Sequence, residues 1–302
     1  MSLWIRFLSY KMFPIAKQAL FFLILLDALI VCSQITHPKA SPFSRVEQEI
    51  GLSKISVAYS RPAARGRTIF GGLVPYGRIW RVGANESTKI TVDTDMTVLG
   101  NNLPKGTYAL YAFPEKEEWQ IAFHTNTQHW GDGRKNYNPN EDLFRIKVAP
   151  KSIPYHQENF LVNFDSITHN AANLNLIWAD TMVSIPILVD THGQMQLEIA
   201  KQLNENPTAQ TYYEAARYLQ EQGADFKTAL GYLNKALELG GDTYYFHRVK
   251  SLVEAELGDY KAAITSAKES LRIATKLEKD EFVRMNTINI KKWGALVTGK
   301  GN

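Results

Sequence analysis

From Ile55 to Val189 apolar residues recur at every second position, with no helical spacing between the runs, and this limits the fold more than any other feature. Ile55–Tyr59, Thr88–Thr94, Met96–Leu99, Thr107–Phe113, Trp119–Thr125 and Phe144–Val148 alternate in this way, as do Phe160–Phe164, Leu174–Trp178 and Val183–Val189. The runs are short, rich in β-branched and aromatic residues, and divided by turn formers such as Asn101-Asn102, Lys105-Gly106, Gly131-Asp132-Gly133 and Asn138-Pro139-Asn140. Parallel strands need crossover segments, usually helices, and none is present. The pattern therefore predicts an antiparallel β-sandwich or barrel over residues 41–190.

After Asp190 the period changes to that of a helix, and Ala, Leu, Glu, Lys and Gln dominate. A bridging helix is expected over Gln194–Leu203, stopped before Asn206-Pro207, and a closing helix over Glu281–Leu296. Between them an offset of 34 superposes Phe226 on Tyr260, Ala229 on Ala263, Leu233 on Ala267 and Leu237 on Leu271. Small residues at helical spacing let paired helices approach closely, so residues 194–298 resemble a degenerate tetratricopeptide-like hairpin array. Asp225, Asp242 and Asp259 stand where helix N-caps are wanted. Such an array offers a surface for a protein partner.

Between the first two predicted strands lies a long stretch, Tyr59–Ile90, with five arginines (Arg61, Arg65, Arg67, Arg78, Arg81), five glycines and two prolines. That glycine and proline density excludes a helix, so the stretch is a loop of defined shape, with Phe70, Tyr76 and Trp80 available to anchor it. Gly71-Gly72 has neither phosphate-loop spacing nor a following helix, so nothing here reads as a nucleotide site.

Several motifs occur in order along this region: YSRP at Tyr59–Pro62, FGGLVPYG at Phe70–Gly77, WRVGAN at Trp80–Asn85, KGTYALYAFP at Lys105–Pro114, and Trp130-Gly131. Together they resemble the bacterial family of unknown function DUF 2911. The resemblance covers about half the chain and implies an exported β domain, but no activity.

Lys11 and Lys17 precede the apolar run Ala19–Val31, which is followed by Cys32-Ser33-Gln34. A basic segment, a short apolar core and small exit residues describe a signal peptide over residues 1–33, so an exported, periplasmic or extracellular protein is expected. Cys32 is the only cysteine; a lipid anchor on it is the alternative, although Val31 is larger than the residue that normally precedes a lipidated cysteine. A net charge of +4 over 302 residues, with no basic face or tail, argues against a nucleic-acid partner.

Guanidinium groups bind carboxylate, sulfate or phosphate bidentately, so the arginine-rich loop is the candidate anion or glycan site. The residues assigned to it are Arg61, Arg67, Arg78, Trp80, Arg81, Asn85 and Trp130, with Asn85 as the polar partner and Trp130 as a stacking surface in a turn-rich segment. Non-catalytic binding of an anionic or carbohydrate-like ligand is the leading expectation. One alternative is a hydrolase or lyase using Arg81 for transition-state charge and His124 as base. The other is a purely structural loop whose arginines donate to backbone carbonyls. No cofactor is expected, nor a metal: His124 and His129 match no tight zinc pattern, and residues five apart on one strand face opposite ways.

Overall fold

The computed structural model describes residues 37–131 and 135–299. The signal-peptide reading over residues 1–33, Cys32 and Asp132 lie outside the described residues. Between Val189 and Asp190 the chain divides into two compact units. No helix among the described residues is long and apolar enough to cross a membrane.

The first unit is built from antiparallel sheets in a sandwich-like arrangement. Its strands are β1 (Phe43–Ile50), β2 (Ser53–Ser60), β3 (Thr88–Val92), β4 (Met96–Val98), β5 (Asn101–Leu103), β6 (Gly106–Phe113), β7 (Trp119–His124), β8 (Asp142–Val148), β9 (Lys151–Asp165) and β10 (Ala171–Leu188). One sheet runs β1-β2-β3-β6-β7-β8 and the other β5-β4-β10-β9. Alternate residues of each strand enter the core, as the period-two pattern requires. At its centre Trp80 stacks on Trp178 with ring centroids 6.0 Å apart, while Phe70, Trp119 and Phe160 meet Trp80 edge-on. Each such ring pair adds about 0.5–1.5 kcal/mol beyond the area it buries.

Two strand readings differ from the sequence expectation. β1 was not expected: it is an edge strand whose residues alternate exposed and half-buried, and only Val46 and Ile50 supply apolar packing, too few for a period-two signal. The two runs expected over Leu174–Trp178 and Val183–Val189 are one strand, β10. Ala179-Asp180-Thr181 looks like a turn in sequence but forms a β-bulge, with Ala179 at φ 54° and the register against β9 shifting on either side.

The long loop between β2 and β3 crosses from one sheet to the other and returns. Ala64 N–H donates to the Glu158 carbonyl and Phe160 N–H to the Pro62 carbonyl, tying the outgoing limb to β9. Trp80 and Ala112 exchange both backbone hydrogen bonds, tying the returning limb to β6. The Gly71-Gly72 pair allows the tight reversal between these limbs: Gly71 has φ +85°, and a Cβ on Gly72 would lie 2.4 Å from the Thr68 carbonyl oxygen.

Six helices form the second unit: α1 (Thr191–Glu205), α2 (Ala209–Glu221), α3 (Phe226–Glu238), α4 (Tyr244–Glu256), α5 (Tyr260–Lys276) and α6 (Asp280–Val297). They pack as hairpins, with Ala229 and Ala263, equivalent at the 34-residue offset, both fully buried. Tyr213 on α2 stacks flat on Phe246 of α4 at 4.3 Å. Asp225 and Asp259 cap α3 and α5 as expected, accepting from Thr228 N and Ala262 N. Asp242 does not cap α4. Thr243 does, by accepting from Phe246 N, while Asp242 bonds to His247 instead.

Candidate metal centre

The outer face of the six-stranded sheet carries the polar cluster that most needs explanation. Alternation sends Lys89, Ala109, Tyr111, Phe113, Ala122 and His124 to this face, opposite the sandwich core. Register aligns Lys89, Ala109, His124 and Asp142 in one row across β3, β6, β7 and β8. Tyr111, Ala122 and Arg145 form the next row. A bulge between Phe123 and His124 brings Asp142 opposite His124. The small side chains of Ala109 and Ala122 leave room above the sheet for rings, and Tyr137 stacks on His124 at 4.9 Å while Tyr111 meets it edge-on at 5.3 Å.

His124 is fully buried. Its Nδ1 lies 2.8 Å from Asp142 Oδ1. The Tyr137 hydroxyl donates to the same carboxylate at 2.6–2.7 Å, and Arg145 Nε donates to Asp142 Oδ2 at 2.7 Å. Asp142 accepts from Tyr137 and Arg145, so the tautomer of His124 that donates to it carries its proton on Nδ1 and presents the lone pair of Nε2. Burial, then the hydrogen bond to Asp142 and its charge, push the Tyr137 hydroxyl well above the ordinary tyrosine range. Tyr137 therefore stays a donor.

The Nε2 atom of His124 is buried and makes no hydrogen bond. Glu141 Oε2 lies 3.2 Å from it, outside hydrogen-bond geometry. Glu141 ends a 3-10 turn, Pro139–Glu141, that Asn138 caps. Its carbonyl accepts from both the N–H and the hydroxyl of Thr125 at 2.9 and 2.8 Å, which holds the start of β8 against the end of β7. Beyond β7 the chain turns back. Trp130 bridges Glu86, and Gly131 N–H donates to the Asn85 carbonyl at 3.3 Å. This turn places the His129 ring 5.3 Å from that of His124, with Nδ1 3.2 Å from the Tyr111 hydroxyl.

His124, His129 and Glu141 each offer one donor atom, and these lie within 4.8 Å of one another. A zinc-class ion bound at about 2.0–2.2 Å from each donor would draw them to roughly 3.3–3.5 Å apart, a small rotamer adjustment. Two imidazoles and a carboxylate suit a borderline divalent ion and leave one tetrahedral position open. Both histidines also have the outer-shell partner that such ligands normally use, Asp142 on one and Tyr111 on the other. A second group, Asp242, His247 and Glu269 in the helical unit, is weaker. There His247 is already bonded to an exposed Asp242 at 2.8 Å, and Glu269 is paired with Arg272 at 2.5 Å.

The residues singled out in the sequence occupy several places. Arg61 Nε donates to the Phe160 carbonyl, and Arg67 donates to the carbonyls of Ala63 and Ala64, so both brace the loop. Arg65 and Arg67 border a cavity of about 400 Å3 with Trp80, Arg81 and Trp178, which Arg61 and Arg78 do not line. Arg78 is exposed. Trp80 is core, its indole N–H donating to the Gly83 carbonyl. The side chain of Asn85 donates to Ser41 O and Ser60 Oγ, tying the loop to the β1–β2 edge. Arg81 borders that cavity, and its charge also acts on Tyr111. Trp130, 70% exposed, follows His129 directly. Thus Arg81 and Trp130 come beside the histidine cluster, whereas Arg61, Arg67, Arg78 and Trp80 do not. The spacing argument against His124 and His129 assumed one continuous strand. β7 ends at His124, and the reversal after it joins two residues that a strand would separate.

No curated protein matches the chain, and no solved structure does. A family model does match, over residues 41–187, and its description is a protein of unknown function. The β domain that carries the histidine cluster is therefore a DUF2911 domain.

Proposed function

We propose that the β domain is a metal-binding domain, holding one zinc-class divalent ion on His124, His129 and Glu141 at the outer face of its six-stranded sheet. The observation that carries this reading is the buried, unbonded Nε2 of His124 facing a carboxylate oxygen at 3.2 Å. Leaving such a nitrogen without a partner costs about 1–3 kcal/mol, and an ion removes that cost. Asp142 supports the reading by fixing the tautomer that coordination requires. With a position left open, the ion would serve ligand binding through direct coordination. The basic residues Lys11 and Lys17 ahead of Ala19–Val31 support an exported setting for this activity, and the 34-residue offset in the helices supports a protein partner for the second unit. Chelator-treated protein titrated with zinc in a calorimeter tests the central point. One ion per chain is expected, with His124→Ala and Glu141→Ala each abolishing uptake; unchanged uptake in both variants refutes it.

A further inference from the structure

On the side of the centre nearest β3 the outer face is cationic. Lys89 stands in the same cross-strand row as His124, separated from it only by Ala109, so two strand spacings of about 4.8 Å put their backbones roughly 10 Å apart. The Lys89 ammonium is half-buried and donates to both the carbonyl and the hydroxyl of Ser87 at 2.7 Å each. Among the described residues its third N–H has no partner and no carboxylate pairs with it. Burial holds it below the ordinary lysine range despite the charge of Glu86. Ser87 also lies beside the Tyr111 hydroxyl, which bonds to His129 Nδ1. Lys89, Ser87, Tyr111 and His129 thus lie together on this side of the cluster. Asp142 is committed to Arg145, Tyr137 and His124, and Glu141 to Asn126 or, in the metal reading, to the ion, which leaves Glu86 as the carboxylate whose charge acts on Lys89.

We infer that the open position of the centre takes an oxyanion, a carboxylate or a phosphate, and that Lys89 is the residue that selects it. This inference rests on the metal reading above. A divalent ion with one carboxylate ligand keeps a net positive charge, and Lys89 adds a second positive charge within reach of a bound oxyanion. The ligand's oxygen completes the coordination, and a further oxygen accepts the free Lys89 N–H. The exposed Trp130 ring, next in sequence to His129, gives the remainder of such a ligand an apolar surface. A neutral sugar would gain nothing from Lys89.

Cobalt(II)-loaded protein provides the test, because its visible bands report a change of ligand at the ion. Inorganic phosphate and acetate are titrated separately, with glucose as the neutral control, into the wild type, Lys89→Met and Lys89→Arg. The expected result is a spectral change with at least one anion and none with glucose. The midpoint should weaken about tenfold or more in Lys89→Met and recover in part in Lys89→Arg. Which anion responds distinguishes carboxylate from phosphate ligands. Cobalt uptake without any anion response, or an anion response that Lys89→Met leaves unchanged, overturns the inference while the metal reading stands. Absence of cobalt uptake by the wild type overturns both. Circular dichroism of each variant confirms folding, and Lys89→Arg keeps the result decisive if Lys89→Met unfolds.

Discussion

Zinc should stabilise the β domain, and His124→Ala should abolish that effect while leaving the fold. His124 is fully buried, and its Nε2 makes no hydrogen bond. At a free zinc concentration of 100 times the dissociation constant, binding to the native state alone adds about 2.7 kcal/mol. For a domain of this size about 1 kcal/mol corresponds to roughly 2–4 °C in melting temperature, so a rise of about 5–11 °C is expected. The two units need not melt together, and their signals can be separated. The near-ultraviolet signal of the packed Trp80, Trp119 and Trp178 rings follows the β domain, and far-ultraviolet helicity follows the other unit. His124→Ala costs stability without metal as well, because it opens a cavity beneath Tyr137 and strips a partner from Asp142, together about 2–5 kcal/mol. The discriminating quantity is therefore the difference between melts with zinc and with chelator, within each variant. It should be large in the wild type and near zero in His124→Ala. An equal zinc shift in both proteins would refute the reasoning.

Other outcomes follow from the same geometry. Asp142→Asn keeps an acceptor for His124 Nδ1 but removes the charge that Arg145 and Tyr137 meet, and zinc affinity should fall about 10–100-fold by calorimetry. Tyr137 has a folded-state pKa raised above the ordinary value, so its stabilising effect is complete below the unfolded pKa of about 10 and is lost as pH rises through the folded value. Urea midpoints compared at pH 9 and 11 should therefore fall more steeply in the wild type than in Tyr137→Phe; equal slopes would contradict the assignment. Trp178→Ala removes the ring stacked on Trp80 and should destabilise the β domain by about 3–5 kcal/mol, read from its near-ultraviolet melt; an unchanged midpoint would contradict the core assignment.

Much of the fold is legible in the sequence because burial on one face of a strand imposes alternation. β2, β3, β6 and β7 each bury alternate residues against the same core, and each reads clearly. β1 is an edge strand with few inward apolar residues and reads poorly. The bulge at Ala179 imitates a turn because a left-handed residue beside Asp and Thr has the same composition in both. The candidate site is harder to read for a different reason. Its ligands come from the end of β7, the loop after it and the turn before β8, and nothing local couples those three positions. The arginines drew attention because they are dense in sequence, yet Arg61 and Arg67 are spent on backbone carbonyls of a loop that crosses between sheets. One signal was available. His124 falls at an outward position of β7, yet is followed by a loop that supplies His129, Tyr137 and Glu141, which gives an outward histidine the means to be buried and held.

Anomalous diffraction at the zinc edge from crystals of the zinc-loaded protein tests the central claim most directly. The account predicts a single strong peak within about 2.0–2.2 Å of His124 Nε2, a ring nitrogen of His129 and a carboxylate oxygen of Glu141. A peak confined to Asp242, His247 and Glu269, or no peak in either unit, would contradict it.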